Sequence, residues 1–290
     1  MDTAEQTLLT DALRKTMTTS TGPNLYPALC ALGWHDLLTG PADTAEIAVA
    51  LVFRLLGETG AQAPLINDVV AHAAGRPLGE SLPLPFTGGT WVRWSHRDLP
   101  DTEDLLDPGL PLLRLGDTTE LPAAADLPKN AARRALGWWL VGSARAMLAL
   151  ARTHALERHQ FGRPVAGFQA IRHRLAETLV AIEGAEAALT VSPGDAHQPA
   201  HPDTGSPRPE ESEALSALLA KAAAGRAALV TARNCQQVLG GTGFTSEHEF
   251  HRHYKRALML DGLLGSSREL TREAGATLRN LGYAPRLAHL

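Results

Sequence analysis

The chain has 290 residues, 44% of them hydrophobic and 20% charged, the composition of an ordinary globular protein with one to three small domains. Its formal net charge of −4 and pI near 6.3 exclude a general electrostatic attraction to nucleic acid or to an anionic membrane surface, so any anion site must be local. Two cysteines, Cys30 and Cys235, far apart in sequence, form neither a disulfide framework nor a metal-ligand set and are expected as buried free thiols.

At the start of the chain, Met1 to Lys15 carries Asp2, Glu5 and Asp11 among scattered apolar residues and lacks the basic and apolar regions of a signal peptide. No later run approaches eighteen uninterrupted apolar residues, so a cytoplasmic protein without a membrane partner is expected. Residues 3–18 and 44–75 read as helices, the second from Ile47, Leu51, Leu55 and Leu56 with alanine-rich filling; Gly22-Pro23, Gly33 and Gly40-Pro41 punctuate the stretch between. Residues 1–75 thus form an N-terminal helical domain.

Over 76–128 the eight prolines from Pro77 to Pro128 exclude long helices, and 90–94 and 110–115 read as short strands of a reduced β insert. From 129 to 290 the chain is helical. Leu136, Trp139, Leu140, Met147, Leu148 and Ala151 recur at spacings of three and four residues. So do Phe168, Ile171, Leu175, Leu179, Ile182 and Leu189, and then Leu215, Leu218, Leu219, Ala222, Leu229 and Val230, which predicts an antiparallel four-helix bundle. Ser192 to Ser212, with five prolines and little to bury, is expected as a mobile, dispensable surface loop. Ser246 with Glu249, and Ser266 with Glu269, stand at capping-box spacing ahead of the last two helices. The fold class is mostly α.

Two motifs stand out inside the helical half. Arg158-His159-Gln160-Phe161-Gly162-Arg163-Pro164 is followed at once by Phe168-Gln169-Ala170-Ile171, and about 70 residues later comes Gln237-Val238-Leu239-Gly240-Gly241-Thr242-Gly243-Phe244. A guanidinium forks onto phosphate oxygens, and glycines let backbone N–H groups approach an anion where a Cβ would clash. The plainer readings are a solvated Arg at a helix C-terminus and a helix C-cap with a tight turn; the latter accounts for the glycines and leaves Gln237 unexplained. A helix beginning near residue 246 adds free N–H donors to the second motif.

Together the two motifs resemble the acyl-CoA dehydrogenase family, in particular the small subunit of heteromeric actinobacterial-type members. The resemblance implies an N-terminal helical domain, to which Leu32-Gly33-Trp34 fits, a β domain and a C-terminal four-helix bundle. It implies that Arg158, Gln160, Phe161, Gln237, Gly240 and Gly241 contact the pyrophosphate and adenosine end of an FAD held mainly by a neighbouring subunit, at an interface where Arg158 and Gln237 face one groove. It also implies an acyl thioester substrate, bordered by Arg133. The family's catalytic Glu has two usual places, and here they hold Leu264 and Ala132. The β insert is about half the family length and has no counterpart of the family's Thr-Glu and Gly-Ser-Asp stretches.

Asp261, one helical turn before Leu264, is the nearest substitute carboxylate, with a surface Asp as the plainer reading. His248, His251 and His253 are expected on a solvated face and not as metal ligands. No Ser-His-Asp or Cys-His constellation can be assembled. The expected function is therefore the non-base subunit of an FAD-dependent acyl-CoA desaturase, paired with a full-length acyl-CoA dehydrogenase subunit or with itself as a dimer or tetramer. The alternatives are a stand-alone enzyme using the fold for non-redox chemistry without FAD, or a structural partner.

Overall fold

The computed structural model describes residues 1–95, 105–107, 110–116, 127–191 and 209–282. Its helical N-terminal unit opens with α1 (Thr3–Thr19), started by a reciprocal capping box in which Asp2 accepts from the Glu5 N–H at 2.8 Å and Glu5 accepts from the Asp2 N–H at 2.8 Å. Then come α2 (Leu25–Ala31), α3 (Trp34–Thr39), α4 (Ala42–Thr59) and α5 (Leu65–Ala73). The single helix expected over 44–75 is thus two. Gly60, at φ 65, ends α4, and Pro64 restarts the chain, because a left-handed residue cannot continue a right-handed helix. Arg256, reaching across from the far end of the chain, donates to the freed carbonyls of Gly60 and Ala61.

The insert is a four-stranded antiparallel sheet, in order β1 (Pro83–Phe86), β2 (Thr90–Trp94), β4 (Leu110–Leu115), β3 (Leu105–Asp107). The two expected strands are its central pair. β1 stands at an edge, where a strand with Pro83 and Pro85 needs only one row of hydrogen bonds. Its inner face buries Leu84, Val92, Trp94, Leu110 and Leu112, and Trp94 stacks on Trp139 of the bundle with centroids 5.5 Å apart.

The helical half comprises α6 (Asn130–Glu157), a hairpin of β5 (His159–Gln160) and β6 (Arg163–Pro164), α7 (Gln169–Thr190), α8 (Pro209–Leu239), α9 (Glu249–Gly262) and α10 (Ser267–Leu281). The loop expected over Ser192–Ser212 lies outside the described residues up to 208, and its last residues already belong to α8. α8 is the one helix among the described residues long and apolar enough to cross a membrane, yet two thirds of that window is buried within the bundle. Its buried face is alanine-rich, with Ala220, Ala224, Ala227, Ala228 and Ala232, which lets α6 approach closely. Arg134 of α6 donates to Leu189 O, Val191 O and Ser216 Oγ, tying the end of α7 to the start of α8.

The Ser266–Glu269 capping box forms as expected. The one at Ser246 does not: His248 is the N-cap of α9, its Nδ1 accepting from Phe250 N–H at 3.1 Å. His253 departs from the solvated face expected for the histidines. It is 3% exposed, and burial, with Arg252 and Arg256 nearby, pushes its imidazole down to about 4, so it is neutral in the folded protein at neutral pH. Cys30 is half-buried and Cys235 buried, both free.

Candidate functional site

The first motif is placed by the end of α6. Arg158 is its C-cap, and its main chain closes the hairpin by accepting from Val165 N–H at 2.8 Å. Phe161 and Gly162 make the two-residue turn with φ of 53 and 76, the signs a type I′ hairpin requires at both central positions. A Phe in that conformation is strained, and its ring is 92% exposed, with an edge contact to Phe168 at 6.2 Å. Arg163 lies over Phe168 at 4.1 Å. Gln160 points back to His159 O at 2.9 Å. Among the described residues, the exposed Arg158 guanidinium donates no hydrogen bond and joins no ion pair.

The second motif is placed by the end of α8, where residues 240–244 continue as a 3₁₀ turn. Its three glycines differ in why they are glycine. Gly240 has φ 59, and Gly243 is buried with a Cβ position only 3.0 Å from Leu239 Cβ. Gly241 has neither reason: its φ is ordinary and a Cβ there would meet nothing within 4 Å. What the chain itself leaves unexplained at Gly241 is open room for a group from outside. Gln237 is exposed and its side chain has no partner among the described residues.

α6 and α8 end together. His154, one turn before Arg158, has its imidazole pushed down by burial and then by the proximity of Arg158 and His248. His248 opens α9 just beyond the glycine turn, so the structure brings Arg158, Gln160 and Phe161 to the same end of the bundle as Gln237, Gly240 and Gly241. No hydrogen bond joins the two motifs within the chain.

The two family base positions are neighbours at another level of the bundle. Leu264 carries φ 58, the other non-glycine left-handed residue among those described; its N–H donates to Pro85 O at 2.8 Å and its carbonyl accepts from Arg133 Nε at 3.3 Å. Leu264 and Ala132 are each 1% exposed in one apolar cluster, so neither place offers a proton acceptor. Arg133 is also 3.6 Å from Glu273 and is thus engaged in holding the α9–α10 turn. The Asp261 carboxylate accepts from Ser267 N–H at 3.0 Å and faces Ser267 Oγ at 3.4 Å, 7% exposed against α8, where a Cβ at Gly225 would collide with it. Those bonds give it the position of a helix cap. Burial would push the Glu269 carboxyl up, but donation from Gly88 N–H and from Ser266 holds it down at about 2.

One residue at this turn escapes sequence reasoning. Lys221 of α8 is 0% exposed, and its ammonium donates to Asp261 O at 2.9 Å and Gly265 O at 2.6 Å, bracketing Leu264. Burial pushes it down to about 7, with Asp261 and Glu269 raising it and Arg133 lowering it. In sequence it is a lone Lys among Leu218, Leu219, Ala220, Ala222 and Ala223; its position on the buried face was the available signal. Because its folded value lies below the 10.5 of the free ammonium, the unfolded chain binds more protons above pH 7, and stability rises with pH there. Between pH 7 and 8.5, below the range where the buried thiols titrate, the wild-type urea stability should gain roughly 1–2 kcal/mol relative to Lys221→Met. Parallel pH profiles for the two proteins would show that Lys221 does not titrate there.

No group of three His, Cys, Asp or Glu side chains among the described residues is placed to hold a metal.

Comparison with known proteins agrees with this layout. Residues 129–276 match the family model described as acyl-CoA dehydrogenase, C-terminal domain. The chain is 29% identical to acyl-CoA dehydrogenase FadE34 of Mycobacterium tuberculosis over 89% of its own length but only 39% of that protein's. With acyl-CoA dehydrogenase IpdE2 of Mycolicibacterium smegmatis it shares 26% identity, and the match covers 92% of each chain. Its fold superposes on a chain of the ChsE4–ChsE5 complex from Mycobacterium tuberculosis with a TM-score of 0.63 at 18% identity, covering 99% of both. A family match over more than half of the chain, on the segment that carries both motifs, makes this protein a member of the acyl-CoA dehydrogenase family.

Proposed function

We propose that this chain is the base-less subunit of a heteromeric FAD-dependent acyl-CoA dehydrogenase. It lends Arg158, Gln160, Phe161, Gln237, Gly240 and Gly241 to the pyrophosphate and adenosine end of the cofactor, while a full-length partner supplies the proton abstractor and the seat of the flavin ring. The observation that carries this reading is a mismatch within one molecule. At the end of the bundle, the Arg158 guanidinium has no hydrogen bond or ion pair among the described residues, and a Cβ at Gly241 would meet nothing within 4 Å. At the base positions, Leu264 and Ala132 are dry and apolar. A fold match to one component of a two-protein complex supports the heteromer.

The donors fit the group they are assigned. An exposed guanidinium can bind pyrophosphate oxygens in a forked contact, the carboxamide of Gln237 can hydrogen-bond a neighbouring polar edge, and the backbone at Gly241 admits close approach. When bound, FAD accepts the hydride removed from the β-carbon of the acyl thioester. The α-proton must go to a carboxylate, and this chain has none free at either family position. Its own work is to bind and orient.

The test is Arg158→Ala in a complex with a full-length relative. Since the Arg158 side chain makes no hydrogen bond or ion pair among the described residues, secondary structure and thermal midpoint should stay unchanged. Flavin affinity should fall by about tenfold to a hundredfold, because a charge-assisted phosphate contact contributes about 1.5–3 kcal/mol. Flavin retention equal to wild type would remove Arg158 from the cofactor site.

A further inference from the structure

At the end of the bundle that carries both motifs, two imidazoles have ring nitrogens without a hydrogen-bond partner among the described residues. His154 lies half-buried in the last turn of α6, and its side chain makes no hydrogen bond or ion pair there. His248, half-buried at the start of α9, uses one ring nitrogen: its Nδ1 accepts from Phe250 N–H at 3.1 Å. An accepting Nδ1 carries no proton, so the ring proton sits on Nε2, which donates to no group among the described residues. His154 stands close enough to Arg158 and to His248 for each to bear on its charge, and α9 packs along α6, so the three side chains form one cluster beside the glycine turn. Glu157 is the carboxylate that acts on His154, and it is exposed. Nitrogen donors grouped in this way repel one another as they gain charge, and an anion placed among them relieves that repulsion.

We propose that His154 and His248 extend the clamp that Arg158 begins, His248 as a fixed Nε2–H donor to the pyrophosphate and His154 as the group that takes up a proton when that anion binds. The inference rests on the cofactor reading above and adds a proton to it. The division of labour follows from the helix cap. A proton on Nδ1 of His248 would end its acceptance from Phe250 N–H and uncap α9, whereas protonating His154 breaks no bond. In the free chain, burial and then the proximity of Arg158 and His248 favour the unprotonated form of His154. A bound pyrophosphate diester, negative on both phosphates, reverses that balance. The sign is then fixed: the bound state keeps the proton at a pH where the free state has lost it, so affinity rises as pH falls through that window.

The experiment measures FAD affinity by quenching of flavin fluorescence, in the complex with a full-length relative, from about pH 8 to about pH 6, around the ordinary histidine range. FAD itself gains and loses no proton there. Relative to His154→Gln, wild type should gain about tenfold in affinity over that interval, since a neighbouring opposite charge commonly changes a group's proton affinity by tenfold or more. The comparison cancels the other ionisable groups at this end, because both proteins share them: His159 and Arg163 of the hairpin, Arg233 of α8, and Glu247, Glu249, His251 and Arg252 around the start of α9. His154→Lys, with its charge fixed, should bind at the upper end of the range as tightly as wild type does at the lower. His248→Asn keeps a cap for α9, so it should weaken binding about tenfold at every pH and leave the slope as in wild type. Circular dichroism should be unchanged in all three. If His154→Gln keeps the wild-type slope, or His248→Asn binds as wild type does, the proposal is overturned. Arg158→Ala reads the cofactor claim separately: affinity lost at every pH in that variant, with no slope due to His154, would leave the flavin clamp standing without its proton. A complex that binds no flavin would overturn both.

Discussion

Gly142→Ala is expected to lower the thermal midpoint by about 10 °C or more, and Gly142→Val to leave no cooperative transition. α4 and α6 cross with their backbones in contact at a pair of glycines. A Cβ at Gly142 would stand 2.9 Å from the Arg54 carbonyl carbon and nearer still to its oxygen, and one at Gly57 would stand 2.5 Å from Ser143 N. Backbone on both sides cannot yield as a flexible side chain would, so the helices must separate. That uncovers Phe53, Trp139 and the Trp94 stack, which join the N-terminal unit, the bundle and the sheet. Overpacking of this kind costs about 3–5 kcal/mol at its upper end, and about 2–4 °C per kcal/mol applies at this chain length. Gly275→Ala is the control: it sits inside α10 with nothing within 4 Å of the added Cβ, and should be neutral or stabilising by roughly 0.5–1 kcal/mol. A Gly142→Ala protein melting with wild type in a calorimeter would mean the helices do not meet there.

The sequence shows the bundle plainly because long apolar stripes such as Leu136, Trp139, Leu140 and Met147 admit one period only. It shows the inner strands 90–94 and 110–115 for the same kind of reason. β1 was hidden by Pro83 and Pro85, which read as a breaker until the topology puts them at an edge. The split of 44–75 has a signal in sequence, Gly60 with Pro64 shortly beyond it, which the apolar runs on either side mask and φ 65 at Gly60 makes plain. In the site, residue types were legible and engagements were not. That Leu264 and Ala132 cannot accept a proton needs no structure; that Asp261 caps Ser267 does. Lys221 falls on the apolar stripe of α8 in sequence, but that spacing alone does not show its burial, which depends on the Asp261 and Gly265 carbonyls facing it at the end of α9. The two strained non-glycine residues, Phe161 and Leu264, fall one in each half of the site. Sequence alone could place them in the motifs without showing that the backbone there is left-handed.

The central claim is that this chain holds part of a flavin site and no proton abstractor. The most direct measurement compares the chain purified alone with the chain purified with a full-length acyl-CoA dehydrogenase, scoring flavin absorbance and acyl-CoA desaturation in each. Alone, the chain should show no turnover even with added FAD. In the complex, flavin and turnover should appear together, and Asp261→Asn, which keeps an acceptor for Ser267, should leave both nearly unchanged. Desaturation by the single chain with added FAD, abolished by Asp261→Asn, would contradict the account and make Asp261 the base.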